Sequence, residues 1–372
     1  GAVGATQDFT PEFNKICADG VLFKRAFSSG THTHQGVFST MLSFPNLPGH
    51  EYLMDDVGSN QPFLGLPTLL KQSGYQTLFL YNGNLAWDNM EGFFRKQGID
   101  TFVGGDAFDD SVAKDAVWGV SDKDLFARAN DEFDRASAKG PFFSLVLTLS
   151  NHPPFDLPKP LPFESTTSMG ELNKRIDGLR YADWAIGQFI AEAKRRAYFD
   201  NTLFVFVGDH GFHVDPKLTP AHLLYHHVPL LFYAPGLIEQ RGVVRDEVVG
   251  QVNVAPSILA LLDLNPPTAA WGRNAFATDF VDENFAIVKG SGGDNAVVML
   301  RGDRALVVDE NNQAKLWQYS LAFPPSATPD EAPASAETAR EMEHALRAYV
   351  AAALDDLKNQ RAGPVHPGAA AR

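Results

Sequence analysis

Residues 204–211 read Phe-Val-Phe-Val-Gly-Asp-His-Gly. Four apolar residues run straight into an aspartate and a histidine, with a glycine on either side of the pair. The run is too short for a helix and consists of residue types that favour strands, so a buried strand is predicted. Asp209 and His210 then lie directly beyond its carboxyl end, where open α/β sheets collect ligands. Successive side chains of a strand point to opposite faces, so both groups address one ion only if the backbone turns here. Gly208 and Gly211 permit that turn. A carboxylate oxygen beside an imidazole nitrogen suits Zn2+ or Mn2+ better than Ca2+ or Mg2+, which favour all-oxygen shells. The competing reading is a turn aspartate next to a histidine bonded to backbone.

Three other apolar runs have the same character: 75–81 (YQTLFLY), 142–149 (FFSLVLTL) and 228–233 (VPLLFY). None alternates cleanly, as expected of strands covered on both faces. Between them, 64–73 and 253–262 read as helices. Leu172, Ile176, Leu179, Ala182, Ile186, Phe189 and Ala193 hold three-and-four spacing along a longer amphipathic helix. Strands alternating with helices imply an α/β fold with a mostly parallel central sheet flanked by helices. After about residue 285 the pattern changes to short strands at 285–288, 296–300 and 305–308, split by glycine- and aspartate-containing turns. That implies a small antiparallel sheet. Residues 324–335, rich in Pro, Ala and Ser, read as a linker, and Met342, Leu346, Tyr349, Ala353 and Leu354 then form one helical stripe. The expected organisation is an α/β domain over 1–280, an antiparallel C-terminal subdomain with linker and helix over 281–360, and a disordered tail over 361–372.

The 372 residues are 44% hydrophobic and 20% charged, the balance of a folded protein rather than a disordered one. A formal net charge of -14 argues against a general grip on nucleic acid. The single cysteine, Cys17, excludes an internal disulfide framework and any CxxC metal knuckle. No stretch approaches the ~20 apolar residues that cross a bilayer. The chain opens without Met and without a basic, apolar leader, and reads as a portion of a longer or processed protein.

Two further stretches supply what a metal site would serve. Ser28-Ser-Gly-Thr-His-Thr-His-Gln-Gly, 28–36, sets hydroxyls and imidazoles on a polar loop just ahead of a helix start, where an anion meets a favourable dipole. A hydroxyl there becomes a competent nucleophile if a metal lowers its pKa. Both Thr31 and Thr33 qualify. Ser150-Asn-His-Pro-Pro-Phe, 150–155, again follows a strand and holds His152 on a loop stiffened by proline, suited to substrate contact. The alternative there is a turn whose histidine only caps an element.

These pieces fall in a recognisable order: FTPEFNKICADGVLFKRAFSSG (9–30), GTHTHQGVFSTMLSFP (30–45), GYQTLFLYNGNLAWDNMEGFF (74–94), LTLSNHPPF (147–155), YADWAIGQF (181–189), FVFVGDHG (204–211), HVPLLFYAPG (227–236) and VNVAPSILALL (252–262). Together they resemble the alkaline-phosphatase-like superfamily, and within it the lipoteichoic acid synthase and phosphoglycerol transferase group of exported, sulfatase-like enzymes. The resemblance implies a threonine nucleophile on a divalent metal, Mn2+ favoured and Zn2+ or Mg2+ possible. Laid on the family pattern G-x-R-T-x-R-G, the segment GTHTHQG makes Thr33 the nucleophile and metal ligand, with His32 and Gln35 in the places of two arginines. Asp209 and His210 fall on the metal pair. His152 falls on the histidine that contacts substrate phosphate, and His227 lies where relatives often carry a substrate histidine. Trp87 would line the headgroup pocket, while Asn89 stands where synthases carry an arginine, losing a charged bidentate contact. The family's glutamate ligand sits on a first strand that lies ahead of Gly1.

The resemblance further implies transfer of a phosphoglycerol-type headgroup through a phospho-threonine. The donor would be a phospholipid or other phosphodiester, and the acceptor a glycan or lipid. The setting would be the periplasmic or extracellular face of the cell envelope, with membrane contact through segments absent from this chain. A phosphodiesterase or phosphonate hydrolase differs only in accepting water. Phosphoethanolamine transferases carry several cysteines, against the one here, and classical sulfatases need a C/S-x-P-x-R stretch that Ile-Cys-Ala-Asp-Gly does not supply. A non-catalytic binding domain is the reading from a different class.

Overall fold

The computed structural model describes residues 2–4, 6–54, 60–109, 112, 119–212, 217–238, 241–278, 284–291 and 296–363. His213, a histidine close enough in sequence to reach the Asp-His pair, and the tail from 364 onward lie outside the described residues. The order of elements is α1 (Pro11–Cys17), β1 (Val21–Phe27), α2 (Thr33–Leu42), α3 (Leu66–Gln72), β2 (Gln76–Tyr81), α4 (Met90–Lys96), β3 (Thr101–Val103), α5 (Asp122–Ser137), β4 (Phe142–Leu147), α6 (Asn173–Ala193), β5 (Phe204–Val207), α7 (Leu223–His226), β6 (His227–Tyr233), β7 (Val243–Gly250) and α8 (Val254–Leu261). The C-terminal part follows as β8 (Phe285–Lys289), β9 (Val297–Arg301), β10 (Arg304–Val308), β11 (Ala314–Ser320), β12 (Ser326–Pro329) and α9 (Ala336–Lys358).

The strands form three sheets, ordered β5-β6-β1-β7, β3-β2-β4 and β12-β11-β10-β9-β8. By its contacts the chain divides into two compact units, residues 1–21, 70–205 and 231–243 in one, 22–69, 206–230 and 244–372 in the other.

In the first unit β2 pairs in parallel with β3 and with β4, Leu80 opposite Val103 and Tyr81 opposite Leu147. Parallel pairing sends the loops after β2 and β4 out at the same end of the sheet. One of those loops carries Trp87 and Asn89, the other His152. Helices α5 and α6 pack on each other through Phe126 stacked on Phe189, ring centroids 4.8 Å apart, and Phe133 stacks on Phe142 of β4. Ser121 caps α5 by accepting from the Asp124 amide.

In the second unit the C-terminal sheet is antiparallel throughout, and strand alternation decides what each face buries. Ala286, Val288, Val298, Leu300, Ala305 and Val307 pack with Phe27, Leu223 and Val248. The intervening Ile287, Val297, Met299 and Leu306 pack with Met342 and Leu346 of α9. The sheet is therefore buried on both faces, which accounts for its near-continuous apolar strands. The expected linker at 324–335 is a correction. Residues Ser326–Pro329 form β12, with Ser326 opposite Ser320 and Pro329 opposite Trp317, and a 3-10 turn then joins it to α9. An edge strand needs ladder hydrogen bonds on one side only, so Pro329 at its end is tolerated and the composition misleads.

Candidate active site

The Ser28–His32 loop leaves the carboxyl end of β1, and α2 starts at Thr33 with His32 as its N-cap residue. Thr33 is buried. Its hydroxyl donates to Asp209 Oδ2 at 2.8 Å. Thus the loop after β1 and the turn after β5, 176 residues apart in sequence, meet at one oxygen. The other Asp209 oxygen accepts from the His210 amide at 2.8 Å, which fixes the carboxylate plane.

His210 completes the cluster. Its Nδ1 lies 2.5 Å from the Gly211 carbonyl, so Nδ1 carries the proton and Nε2 presents its lone pair. Nε2 is 3.5 Å from Asp209 Oδ2. A ligand histidine ordinarily has its second nitrogen tied to a carbonyl in this way, which fixes ring and tautomer. Hydroxyl oxygen, carboxylate oxygen and imidazole nitrogen therefore converge, and this donor set fits a divalent ion of the Mn2+ or Zn2+ type. The turn that permits it is held by Gly208 N to the Pro229 carbonyl and Gly211 N to the Tyr225 carbonyl. A Cβ at Gly211 would come within 2.9 Å of the Tyr225 carbonyl oxygen, so glycine is required there for close approach.

The two candidate threonines differ in their partners. Thr31 Oγ1 pairs with Ser291 Oγ at 2.9 Å and accepts from the Ser291 amide at 2.9 Å. Its hydroxyl is engaged in joining the loop to Ser291, two residues beyond the end of β8. Thr33 alone of the two faces Asp209.

Other residues singled out in the sequence sit as follows. Gln35 takes the Thr31 amide on Oε1 at 3.0 Å and reaches the Glu51 carbonyl through Nε2 at 3.3 Å, so both ends of its amide engage the protein's own backbone. His32 and His34 lie with ring centroids 4.4 Å apart, and His34 stacks on the exposed ring of Tyr52. His34 Nε2 donates to the Glu51 carbonyl at 2.8 Å. His227 Nε2 bonds the Lys24 carbonyl at 2.8 Å, and burial lowers the pKa of its ring. Its neighbour His226 is fully buried, with Nδ1 3.0 Å from the Ser28 carbonyl, and burial pushes its pKa down to about 4.

In the first unit His152 is half-buried, its Nδ1 bonded to the Pro153 carbonyl at 2.8 Å. The loop beneath it is held by fully buried Asp122, whose Oδ1 accepts from the Leu149 and Ser150 amides and from Asn82 Nδ2, each at 2.9 Å. Burial raises the Asp122 pKa, against those three donors. Trp87 and Asn89 lie half-buried in a tight turn, with Asp88 and Asn89 in the left-handed region at φ 49° and 54°. Asn89 Oδ1 lies over Gly92, 2.3 Å from where a Cβ would stand.

Asp122, Tyr52, Lys289 and Gln251 escaped the sequence reading. Asp122 looked like one more acidic residue at a helix start, and nothing local marks a carboxylate whose partners come 27 residues later. Gln251, a polar residue between a strand and the apolar VNVAPSILALL run, was the one with a visible signal.

The sulfatase family model matches residues 1–264 of the chain. The chain belongs to the sulfatase family. Among its sulfatase-family relatives is the lipoteichoic acid synthase-like protein YvgJ of Bacillus subtilis, 27% identical over 234 residues, which cover 59% of this chain and 37% of that protein. Lipoteichoic acid synthase of Staphylococcus aureus is 27% identical over 255 residues, 61% of this chain and 39% of the synthase. The chain thus spans well under half the length of these relatives. A solved structure of an alkaline phosphatase superfamily protein from Vibrio parahaemolyticus superposes with a TM-score of 0.83 at 27% identity, covering 96% of this chain and 83% of that one. The lipoteichoic acid synthase LtaP of Listeria monocytogenes shares the fold, with a TM-score of 0.76 at 18% identity over 95% and 87% of the two chains. Family and fold support a metal-dependent hydrolase or transferase of this superfamily.

Proposed function

We propose that this chain carries the catalytic site of a metal-dependent enzyme that cleaves a phosphodiester through a phospho-threonine on Thr33. The reading assigns it transfer of a phosphoglycerol-type headgroup from a phospholipid donor to a glycan or lipid acceptor. The carrying observation is the 2.8 Å contact between the Thr33 hydroxyl and Asp209 Oδ2. Thr33, Asp209 and His210 would hold the ion, Mn2+ by preference. Bound there, the metal would supply the Lewis acidity that makes an alcohol a nucleophile near neutral pH.

The remaining steps belong to the chain's own groups. Asp209 Oδ2 accepts the Thr33 proton and orients the hydroxyl oxygen. A Thr33 Oγ1–P bond forms as the bond from phosphorus to the donor's alcohol oxygen breaks. Burial of Thr33 limits the access of water to the phospho-threonine. His152 is assigned the proton for the departing alcohol, and Trp87 and Asn89 the headgroup, on the resemblance to synthases. His32, Gln35 and His227 were expected to touch substrate. In the structure Gln35 and His227 bond backbone groups of the protein itself. An acceptor alcohol then takes the headgroup and restores Thr33, so one difficult displacement becomes two easier ones. The same reading puts the activity at the periplasmic or extracellular face of the cell envelope, with membrane contact through segments outside this chain. Among the described residues no helix is long and apolar enough to cross a membrane.

The test is Thr33→Ala assayed on a chromogenic phosphodiester with Mn2+ present. Turnover is expected to fall by at least a thousandfold while far- and near-ultraviolet circular dichroism stay those of the wild type. Retained turnover in this folded variant would refute Thr33 as nucleophile. Product analysis with glycerol as acceptor separates transfer from hydrolysis.

A further inference from the structure

The Thr33–Asp209 contact depends on two backbone segments keeping their separation, and one side chain outside the cluster spans both. Gln251 is the first residue after β7 and is almost fully buried. Its Oε1 accepts from the Ser29 amide at 2.8 Å, in the loop that leads to Thr33. Its Nε2 donates to the Gly208 carbonyl at 2.9 Å and the Asp209 carbonyl at 2.7 Å. One planar amide therefore grips the nucleophile loop with its acceptor and the metal-ligand turn with its donors.

The same joint is closed from the other side by Gly36, in the first turns of α2. A Cβ at Gly36 would stand 2.1 Å from the Asp209 carbonyl oxygen. The helix backbone thus already touches the carbonyl that Gln251 holds. Asp209 is confined between α2 and Gln251, and its main chain cannot shift without breaking one contact or colliding with the other.

We propose that Gln251 is a positioning residue that sets the Thr33–Asp209 separation, and through it the affinity for the metal. This rests on the reading of Thr33, Asp209 and His210 as the metal site. The side-chain hydrogen bonds of Gln251 go to main-chain groups, not to the Thr33 hydroxyl or the carboxylate. It acts through the two main chains that carry them. A misplacement of a fraction of an ångström between metal ligands weakens both binding and chemistry, because each needs its groups fixed beforehand. Only an amide offers an acceptor to Ser29 N and donors to two carbonyls at this position. Glutamate keeps the shape and the acceptor but opposes two carbonyl oxygens with a carboxylate. Methionine keeps the volume and loses both functions.

The experiment compares wild type, Gln251→Glu and Gln251→Met. The Mn2+ half-saturation is read from the metal-dependent rise in melting temperature, and kcat and KM from a chromogenic phosphodiester. For both variants we expect the half-saturation to rise at least tenfold and kcat to fall at least tenfold, with KM within about threefold of wild type. A variant whose melting temperature falls while its Mn2+ half-saturation and kcat stay at wild-type values would make Gln251 a packing residue and overturn the proposal. Wild-type behaviour in Gln251→Glu would do the same, since that variant lacks only the donors. A wild-type protein with no Mn2+-dependent shift would instead overturn the metal site itself, and the role of Gln251 with it.

Discussion

Two threonines two residues apart acquire different tasks from what faces them. Thr31 is paired with Ser291 through both its hydroxyl contacts, and Thr33 meets a carboxylate. Thr31→Val is expected to keep kcat within about threefold of wild type. It should destabilise the fold by about 1 kcal/mol, as loss of one side-chain hydrogen-bonding group generally does. Urea unfolding and phosphodiesterase kinetics check both numbers, and loss of turnover comparable to that in Thr33→Ala would return Thr31 to candidacy. His210 makes the same point. The order of residues places an imidazole beyond β5, but the Gly211 carbonyl selects the tautomer that leaves Nε2 open to a ligand.

At the scale of elements, the C-terminal sheet braces the loop that leads to Thr33. The last residue of β8, Lys289, is fully buried, and its ammonium is bonded to Glu51 Oε1 and the Gly290 carbonyl, each at 2.6 Å. The Glu51 carbonyl in turn accepts from His34 and Gln35, on either side of which α2 begins and continues. The Lys289 amide also donates to the Ser29 carbonyl at 2.9 Å. A buried ion pair adds little over an apolar replacement, but stripping one partner strands the other's charge. Glu51→Gln is therefore expected to lose roughly 3 kcal/mol of stability, and Glu51→Gln with Lys289→Met to lose clearly less. Chemical unfolding of the two proteins decides it. Equal losses would mean that the charge of Lys289 is not the source of the cost.

Over the whole molecule, buried His226 contributes to the response to acid. His226 has its pKa depressed to about 4 by burial, with the His210 and His222 rings adding to the depression and its bond to the Ser28 carbonyl opposing it. Between about pH 6.5 and pH 4 the unfolded chain binds a proton at this ring that the folded chain does not. Folding stability attributable to it is therefore fully present above pH 6.5 and falls as pH drops toward 4. The shift corresponds to roughly 3 kcal/mol at its limit. His226→Gln is expected to flatten the stability profile across that window, measured by urea unfolding at pH 7.0, 6.0 and 5.0. An unchanged slope would place the acid sensitivity elsewhere. Burial pushes the thiol of Cys17, the one cysteine in the sequence, up to about 12.

Much of the fold was legible in local pattern because the forces involved are local. FVFV followed by Gly-Asp-His-Gly placed β5 and its turn, the three-and-four spacing of Leu172 to Ala193 marked α6, and the glycine-rich breaks after residue 285 separated the C-terminal strands. The linker misread at 324–335 shows the limit, since Ser326–Pro329 becomes a strand only because β11 offers an unpaired edge. Residue type and order by themselves determined the α/β class and singled out the candidate groups. Only the tertiary structure decided that Thr33 rather than Thr31 faces Asp209, and that Gln251 spans both segments. Those outcomes depend on contacts between residues 42 to 260 positions apart, and separation of that kind leaves no periodicity in the chain for a local reading to find.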